Sequence, residues 1–202
     1  MGEKMKLEEM ATVRTGAVIA RKTASEPKEV IATYKVLNLK SCTFDGHLEL
    51  QNAEEFASKE FLKDDFLTQI GDVLIRLSTP YTAVAITEEE QCSYVVPSHF
   101  AIIRANEKYV LPEYILWFLR RESTLQTIEQ NSSGRTSFGT ISSGFIGSLN
   151  LREIPLEKQR IIGQMLLLSD REQILLHKLA YQKEIYNKAL VNQIYDSFKR
   201  GN

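Results

Sequence analysis

The segment that decides the fold is residues 156–198, LEKQRIIGQMLLLSDREQILLHKLAYQKEIYNKALVNQIYDSF. It contains no proline, and its one glycine is Gly163. Hydrophobic residues recur in it at steps of 3, 4 or 7 positions, which places them on one face of an α-helix. They are Ile161, Met165, Leu168, Leu175, Leu179, Tyr186, Leu190 and Ile194. We therefore predict a helix from Glu157 to about Phe198, with a candidate break at Ser169-Asp170.

A helix of this length needs a partner. At 1.5 Å per residue, ~40 residues extend about 60 Å, several times the usual helix length in a globular domain. One compact domain cannot cover such a stripe. The hydrophobic stripe shifts gradually around the helix along its length, and Glu172 and Gln182 fall within it. The pattern is therefore not a strict heptad coiled coil. Identical chains most often pair in closed two-fold symmetry, so we predict a homodimer that uses the eight hydrophobic residues.

The preceding part of the chain has a different character. Short apolar segments bounded by Gly, Pro, Asn or Ser are typical of strands, and four of them lie at Val30–Leu37, Asp72–Leu77, Ala83–Ile86 and Phe100–Arg104. Pro112 favours the start of a helix, which we expect to run to about Gln130, and residues 132–147 read as a long polar loop. The predicted class is α+β. A β-rich domain, residues 1–155, precedes a long C-terminal α-helix, residues 156–202.

Composition and charge exclude several classes of protein. Apolar residues make up 43% and charged residues 25% of the 202-residue chain, which is typical of a soluble globular protein. The net charge of −1 does not indicate a globally basic nucleic-acid binder. The cysteines Cys42 and Cys92 form no CxxC pair, so we expect two reduced thiols in a cytoplasmic protein. No secretory signal or membrane span is recognisable.

The sequence offers no positive evidence of catalysis. Ser78-Thr79-Pro80-Tyr81 resembles the aromatic loop of amino-methyltransferases, but Ser78 stands where that loop needs an Asn or Asp. No glycine-rich motif for a methyl donor follows a strand. The histidines are far apart and form no metal-ligand pair. We therefore expect a non-enzyme with no metal, no cofactor and no catalytic residue.

Binding chemistry is better represented. Between Arg14 and Lys40 there are six basic and two acidic residues, whereas residues 44–72 contain two basic and eight acidic residues. A basic face can therefore meet phosphate while the acidic segment lies elsewhere. In the loop at residues 131–138, Ser and Thr hydroxyls can donate to phosphate or base edges, and Arg135 can bind guanine through two hydrogen bonds. Weaker cases of the same kind are residues 76–81 and 97–100.

In their order and spacing, these segments resemble the DNA specificity subunits of type I restriction–modification systems. The segments are residues 13–16 (VRTG), 34–37 (YKVL) leading to Asp45-Gly46, 71–75 (GDVLI), 111–114 (LPEY), 133–141 (SGRTSFGTI) and 154–161 (IPLEKQRI). The resemblance covers residues 7–198. Members of that family usually carry two recognition domains and two long helices, whereas this chain has one of each, so it resembles a half-length form. Thr79-Pro80 departs from the family, which often has a glycine there.

The resemblance implies a non-catalytic subunit. Its target recognition domain binds one half of a split DNA site, its long helix is a spacer, and the complex also contains methyltransferase and restriction or translocase subunits. Antiparallel pairing would place the two recognition domains at opposite ends. The residues that we expect to contact DNA are Arg14, Arg21 and Lys22 on phosphate, and Arg76, Ser133, Arg135, Thr136 and Ser137 in or near a groove. The alternative is a protein-interaction adaptor of the same fold that does not bind DNA.

Overall fold

The computed structural model describes residues 3–43, 46–132 and 139–200, with the side chains of the last two left out. Its strands are β1 (Lys4–Lys6), β2 (Ala11–Thr15), β3 (Ala32–Val36), β4 (Glu54–Ser58), β5 (Asp72–Arg76), β6 (Ala83–Ala85), β7 (Phe100–Ala105) and β8 (Asn150–Arg152). Its α-helices are α1 (Leu7–Met10), α2 (Pro112–Arg120), α3 (Glu122–Gln130), α4 (Ser143–Gly147) and α5 (Leu156–Arg200). Short 3-10 helices lie at Ile19–Arg21, Pro27–Glu29, Leu50–Asn52, Asp64–Phe66 and Glu89–Gln91.

An antiparallel sheet in the order β2-β7-β5-β6 forms the centre of the domain. All five residues of β5 are buried, because this strand is covered on both faces. This explains why its three central residues, Val73, Leu74 and Ile75, are all apolar rather than alternating with polar residues. Two smaller antiparallel pairs, β1 with β8 and β3 with β4, complete the strands of the described residues. The α+β class predicted from the sequence is confirmed.

Two clusters of buried hydrophobic residues flank the strands of the described part of the domain. One joins the central sheet to the segment around Cys42 and contains Leu37, Cys42, Leu74, Val84, Ile86, Val96, Phe100 and Ile102. The other lies under β3 and β4 and contains Ala17, Val36, Phe56, Leu62 and Val95. Both cysteines are free thiols, with Cys42 buried and Cys92 half-buried, and burial raises the pKa of the Cys42 thiol to about 12.

Two predictions about the middle of the chain were wrong. The helix expected between Pro112 and Gln130 is two helices, because Arg121 adopts an extended conformation with ψ of 136° between them. The expected polar loop at residues 132–147 contains helix α4, in which the Ser142 hydroxyl accepts a hydrogen bond from Phe145 N at 3.1 Å. A serine N-cap can begin a short helix in a sequence that is otherwise typical of a loop.

Helix α5 is continuous from Leu156 to Arg200, so the candidate break at Ser169-Asp170 does not occur. Its first turns belong to the N-terminal unit, because the boundary between the two contact units lies between Gly163 and Gln164. A Cβ at Gly163 would collide with the side chain of Glu113, so glycine permits the close approach of α5 to α2. None of the described helices is both long enough and apolar enough to span a membrane.

Every residue of the predicted hydrophobic stripe on α5 is exposed in the single chain. The exposed fraction ranges from 40% at Leu190 to 66% at Met165. Further large hydrophobic residues on this helix are also exposed, namely Leu176, Tyr181, Ile185, Val191, Tyr195 and Phe198. Exposed apolar surface of this extent is typical of an interaction surface.

Candidate nucleic-acid interface

Two of the weaker candidates for DNA contact meet where β5 ends and β7 begins, namely residues 76–81 and 97–100. Arg76 is the last residue of β5 and pairs with Phe100 at the start of β7. The next backbone amide, Leu77 N, donates to His99 O at 2.9 Å. Because these strands are antiparallel neighbours, the end of one lies beside the start of the other. Arg76 and His99 are therefore brought together although 23 positions separate them.

The loop that follows β5 is hydrogen-bonded to the end of residues 132–140, which we call the glycine-containing segment. Thr79 N and the Tyr81 hydroxyl both donate to Gly139 O, at 3.3 and 2.9 Å. Ser78 forms an antiparallel bridge with Thr140. Tyr81 is only 6% exposed. This tyrosine therefore packs inside the domain, and its hydroxyl already has a hydrogen-bond partner in Gly139 O.

The two ends of the glycine-containing segment also meet at Tyr81. A Cβ built on Gly139 would lie 2.5 Å from Ser132 Oγ and 2.8 Å from the Tyr81 hydroxyl. No side chain fits there, which explains the glycine at this position. Ser133, Arg135, Thr136 and Ser137, the expected groove contacts, lie outside the described residues. The described residues at both ends hold the base of this loop beside the Ser78–Tyr81 loop.

Arg76 occupies an unusual electrostatic position. It is 8% exposed, and the one hydrogen bond of its side chain within the described residues is a long one of 3.4 Å, from Nη2 to Thr79 O. Burial lowers the pKa of its guanidinium. Burial and then the Arg76 charge lower the pKa of His99, so this imidazole is neutral near pH 7.

Two of the three expected phosphate contacts have acidic partners. Arg14, on β2, forms an ion pair with Asp65. Lys22 forms an ion pair with Glu60, and its Nζ lies 5.5 Å from the centre of the Phe66 ring. The hydrogen bond from Lys22 lowers the pKa of the Glu60 carboxyl. Arg21 is exposed and has no ion pair with any residue that the structure describes.

Sequence reasoning missed the acidic side of this surface. Asp65 also lies 3.6 Å from Arg104 Nη1, and Arg104 Nε donates to the buried Asp72 at 2.7 Å. Burial raises the pKa of Asp72, against the opposing effect of Arg104. The sequence places Asp65 in an acidic segment far from Arg14, and only the packing of the 3-10 helix Asp64–Phe66 beside β2 and β7 joins them.

The sequence also gave no signal for Phe61. This side chain is 77% exposed, more than any other large hydrophobic residue that the structure describes in the N-terminal unit. It is held between fixed neighbours, because Leu62 is buried and its backbone amide donates a hydrogen bond to the Tyr34 hydroxyl at 3.1 Å. Across residues 3–43, 46–132 and 139–200, no group of three His, Cys, Asp or Glu residues is arranged to hold a metal ion.

Comparison with known proteins identifies the fold. No protein-family model and no curated protein matches the sequence. Among solved structures, a chain from a study of complex assembly and conformational transition of the type I R-M system aligns over 91% of this chain with a TM-score of 0.66 and 16% identity. The HsdS subunit from Thermoanaerobacter tengcongensis aligns over 86% with a TM-score of 0.63 and 16% identity.

This chain has the HsdS fold. The S subunit of the type I restriction-modification system from M. genitalium also aligns, over 85% of the chain with a TM-score of 0.52 and 11% identity. The chain spans less than half of each of these proteins, namely 46%, 43% and 39%. The resemblance read from the sequence, to a half-length specificity subunit, is confirmed at the level of the fold.

Proposed function

We propose that this chain binds double-stranded DNA sequence-specifically, as the half-length specificity subunit of a type I restriction–modification complex. The observation that carries the proposal is the HsdS fold, which extends through the recognition domain and into the long helix. The loops after β5 and before α4 meet at one edge of the sheet, so that residues from distant parts of the sequence can form one contact surface.

The contacts that we propose fall into two groups. Arg14, Arg21 and Lys22 bind phosphates, and of these Arg21 is available without breaking an ion pair within the described residues. Arg76 and the loop residues Ser133, Arg135, Thr136 and Ser137 lie in or near a groove of the duplex. Phosphate contacts fix position, whereas contacts with base edges carry the sequence preference.

The chain acts through partners and has no catalytic role of its own. We infer that it pairs with a second copy through the exposed stripe of α5, which supplies the second recognition domain of a bipartite site. The target is then an inverted repeat with an unread spacer. Methyltransferase and restriction or translocase subunits complete the assembly in the cytoplasm. Purified alone, the chain neither cleaves DNA nor transfers a methyl group, and methyl transfer appears when the methyltransferase subunit is added.

The alternative, a protein-interaction adaptor that does not bind DNA, has one observation in its favour. Asp65 and Glu60 neutralise Arg14 and Lys22, and the net charge is −1. Both features weaken the attraction of this surface for phosphate.

A salt series on a library of duplexes separates the two functions. A specificity subunit enriches one split sequence, and its affinity falls steeply as ionic strength rises, because bound phosphates release counterions. An adaptor enriches no sequence at any salt concentration. Copurification of a methyltransferase subunit with the tagged chain supports the proposed assembly. If no duplex sequence is enriched at any salt concentration, the proposed DNA-binding function is wrong.

A further inference from the structure

Arg76 is buried, and its guanidinium has no acidic partner among residues 3–43, 46–132 and 139–198. Its Nε has no hydrogen-bond partner in the described part of the chain, and neither has Nε2 of the adjacent His99. More than nine-tenths of buried polar groups in proteins have a partner. Two such nitrogen atoms without partners, on residues at the adjoining ends of β5 and β7 and one of them on a permanent cation, therefore indicate a missing ligand.

The chemistry of the two nitrogens defines that ligand. Arg76 Nε can only donate, and a neutral imidazole can donate from Nε2 in one of its two tautomers. A single group that accepts from both needs oxygen acceptors, and the buried charge of Arg76 favours a group that is negative. Tetrahedral phosphate meets this requirement and matches the planar fork of a guanidinium.

We propose that Arg76 and His99 form a phosphate-binding site at the end of β5, which a phosphodiester group of bound DNA fills. This inference rests on the proposed DNA-binding function and names one contact within it. Both nitrogens are covered in the free chain, so the ligand reaches them when the Ser78–Tyr81 loop shifts. The hydrogen bonds from Thr79 and Tyr81 to Gly139 O hold that loop, and they connect the site to the glycine-containing segment.

This site has a signature that a structural arginine does not have. An uncompensated buried charge destabilises the free protein, and binding of phosphate offsets that cost. Arg76→Met keeps the length of the side chain and removes the charge. It should therefore preserve or raise the melting temperature of the free chain, while weakening binding.

Arg120 provides the matched control. It is also a part-buried arginine, but its guanidinium donates to Ala83 O at 3.0 Å and to Gly46 O at 2.6 Å. Because Arg120→Met leaves these carbonyls without their partner, it should lower the melting temperature and leave the response to phosphate unchanged.

The experiment measures melting temperatures with inorganic phosphate, against sodium chloride of the same ionic strength, and affinity for a mixed-sequence 30-base-pair duplex. We expect phosphate to raise the melting temperature of the wild-type chain more than that of Arg76→Met. We also expect the variant to bind the duplex about tenfold more weakly, with a salt dependence reduced by about one phosphate contact. Phosphate should shift the ring resonances of His99 and not those of His177, which lies on α5.

Three outcomes are distinguishable. If Arg76→Met melts well below the wild type and responds to phosphate and duplex as the wild type does, Arg76 is structural and the inference is wrong. If Arg76→Met does not fold, an unchanged His99 resonance in the phosphate titration of the wild type overturns it equally. If phosphate acts on the wild type through Arg76 and His99 but no duplex binds, the phosphate site stands and the proposed DNA function fails.

Discussion

The side-chain oxygen of Gln159 accepts a hydrogen bond from the backbone amide of Leu111 at 2.9 Å. The Nε2 atom of the same side chain donates to Tyr109 O at 2.9 Å and to Ile154 O at 2.8 Å. Gln159 is 1% exposed. A glutamine near the start of α5 thus joins the long helix to the segment that precedes α2, where Leu111 is the N-cap.

Replacement of Gln159 should destabilise the N-terminal unit. Gln159→Leu removes all three hydrogen bonds and leaves a backbone amide and two carbonyls without partners, each at a cost of about 1–3 kcal/mol. We expect the free energy of unfolding to fall by about 3 kcal/mol or more, measured by urea denaturation. The control is Gln164→Leu, an exposed position on the same helix, which should change it by less than about 0.5 kcal/mol. Equal midpoints for the two variants would contradict this role.

The sequence predicted local structure well and tertiary pairing poorly. The long helix and the buried strands follow from local spacing, so they could be predicted. The division at Arg121 could not, because one residue changes its backbone conformation and neither a glycine nor a proline marks the position. The pairing of Arg14 with Asp65 depends on which elements pack together, and sequence separation hides it. Gln159 lies in the segment 154–161 that the sequence analysis singled out. Its three hydrogen bonds could not be predicted, because their partners are backbone groups that only the folded chain brings to it.

The ion pair between Asp65 and Arg14 should weaken DNA binding. Asp65→Asn frees Arg14 for a phosphate, so we expect affinity for duplex DNA to rise severalfold and the salt dependence to increase by about one contact. The control is Asp64→Asn, which makes the same change of charge at the neighbouring residue. Asp64 has no side-chain ion pair within the described ranges, so its variant should show a smaller rise. A filter-binding salt series measures both, and identical slopes would remove Asp65 from the proposed interface.

The loop residue Arg135 is the proposed reader of a base. If it binds a base edge, Arg135→Ala should weaken binding to the preferred sequence by about 1–3 kcal/mol and relax the preference at one position. The control is Arg152→Ala, an exposed residue of β8, which should leave the preference unchanged. Selection from a duplex library measures the preference. A uniform loss on all sequences assigns Arg135 to a phosphate, and no loss on any duplex contradicts the loop as a contact.

The buried thiol of Cys42 predicts a pH dependence of stability. Its pKa is raised from 9.0 to about 12 in the folded chain, so above pH 9 the unfolded chain loses a proton that the folded chain keeps. Between pH 9 and 12 this group therefore lowers the free energy of unfolding by about 1.4 kcal/mol per pH unit. Below pH 9 both states are protonated and it has no effect.

Cys42→Ala should make the fall of the free energy of unfolding with pH less steep by the contribution of one proton, about 1.4 kcal/mol per pH unit. Urea denaturation between pH 8.5 and 10.5 gives the slope for each chain, and the difference between the slopes isolates Cys42 from the tyrosines and lysines that titrate nearby. In a companion measurement, iodoacetamide should not modify Cys42 in the native state at pH 8. Equal slopes for the two chains, or rapid native alkylation of Cys42, would show that the thiol is not shielded.

The stripe on α5 has a spacing that reads almost the same in both directions. The hydrophobic residues of the stripe fall into pairs whose numbers add up to 354 or 355, as in Ile161 with Ile194 and Met165 with Leu190. In an antiparallel pair centred near residue 178, such positions face each other across the two-fold axis. The same register brings charged residues of opposite sign together, Arg171 with Glu184 and Glu172 with Lys183. Hydrophobic and charged positions therefore favour one antiparallel arrangement of two copies.

This register predicts a specific cross-linking pattern. A cysteine in place of Lys178, close to the axis, should link to its own copy through a short bis-maleimide, in a chain whose Cys92 has been replaced by serine. A cysteine in place of Met165 should link to a cysteine in place of Leu190, and not to itself, because Met165 lies far from the axis.

Leu175→Glu with Leu179→Glu should give a monomer, since burial of each leucine contributes about 1.5–3 kcal/mol. That monomer should keep weak binding to a half-site and lose tight binding to the split site. Self-linking of the cysteine at position 165 would indicate parallel helices, and a wild-type monomer at micromolar concentration in sedimentation would refute the dimer itself.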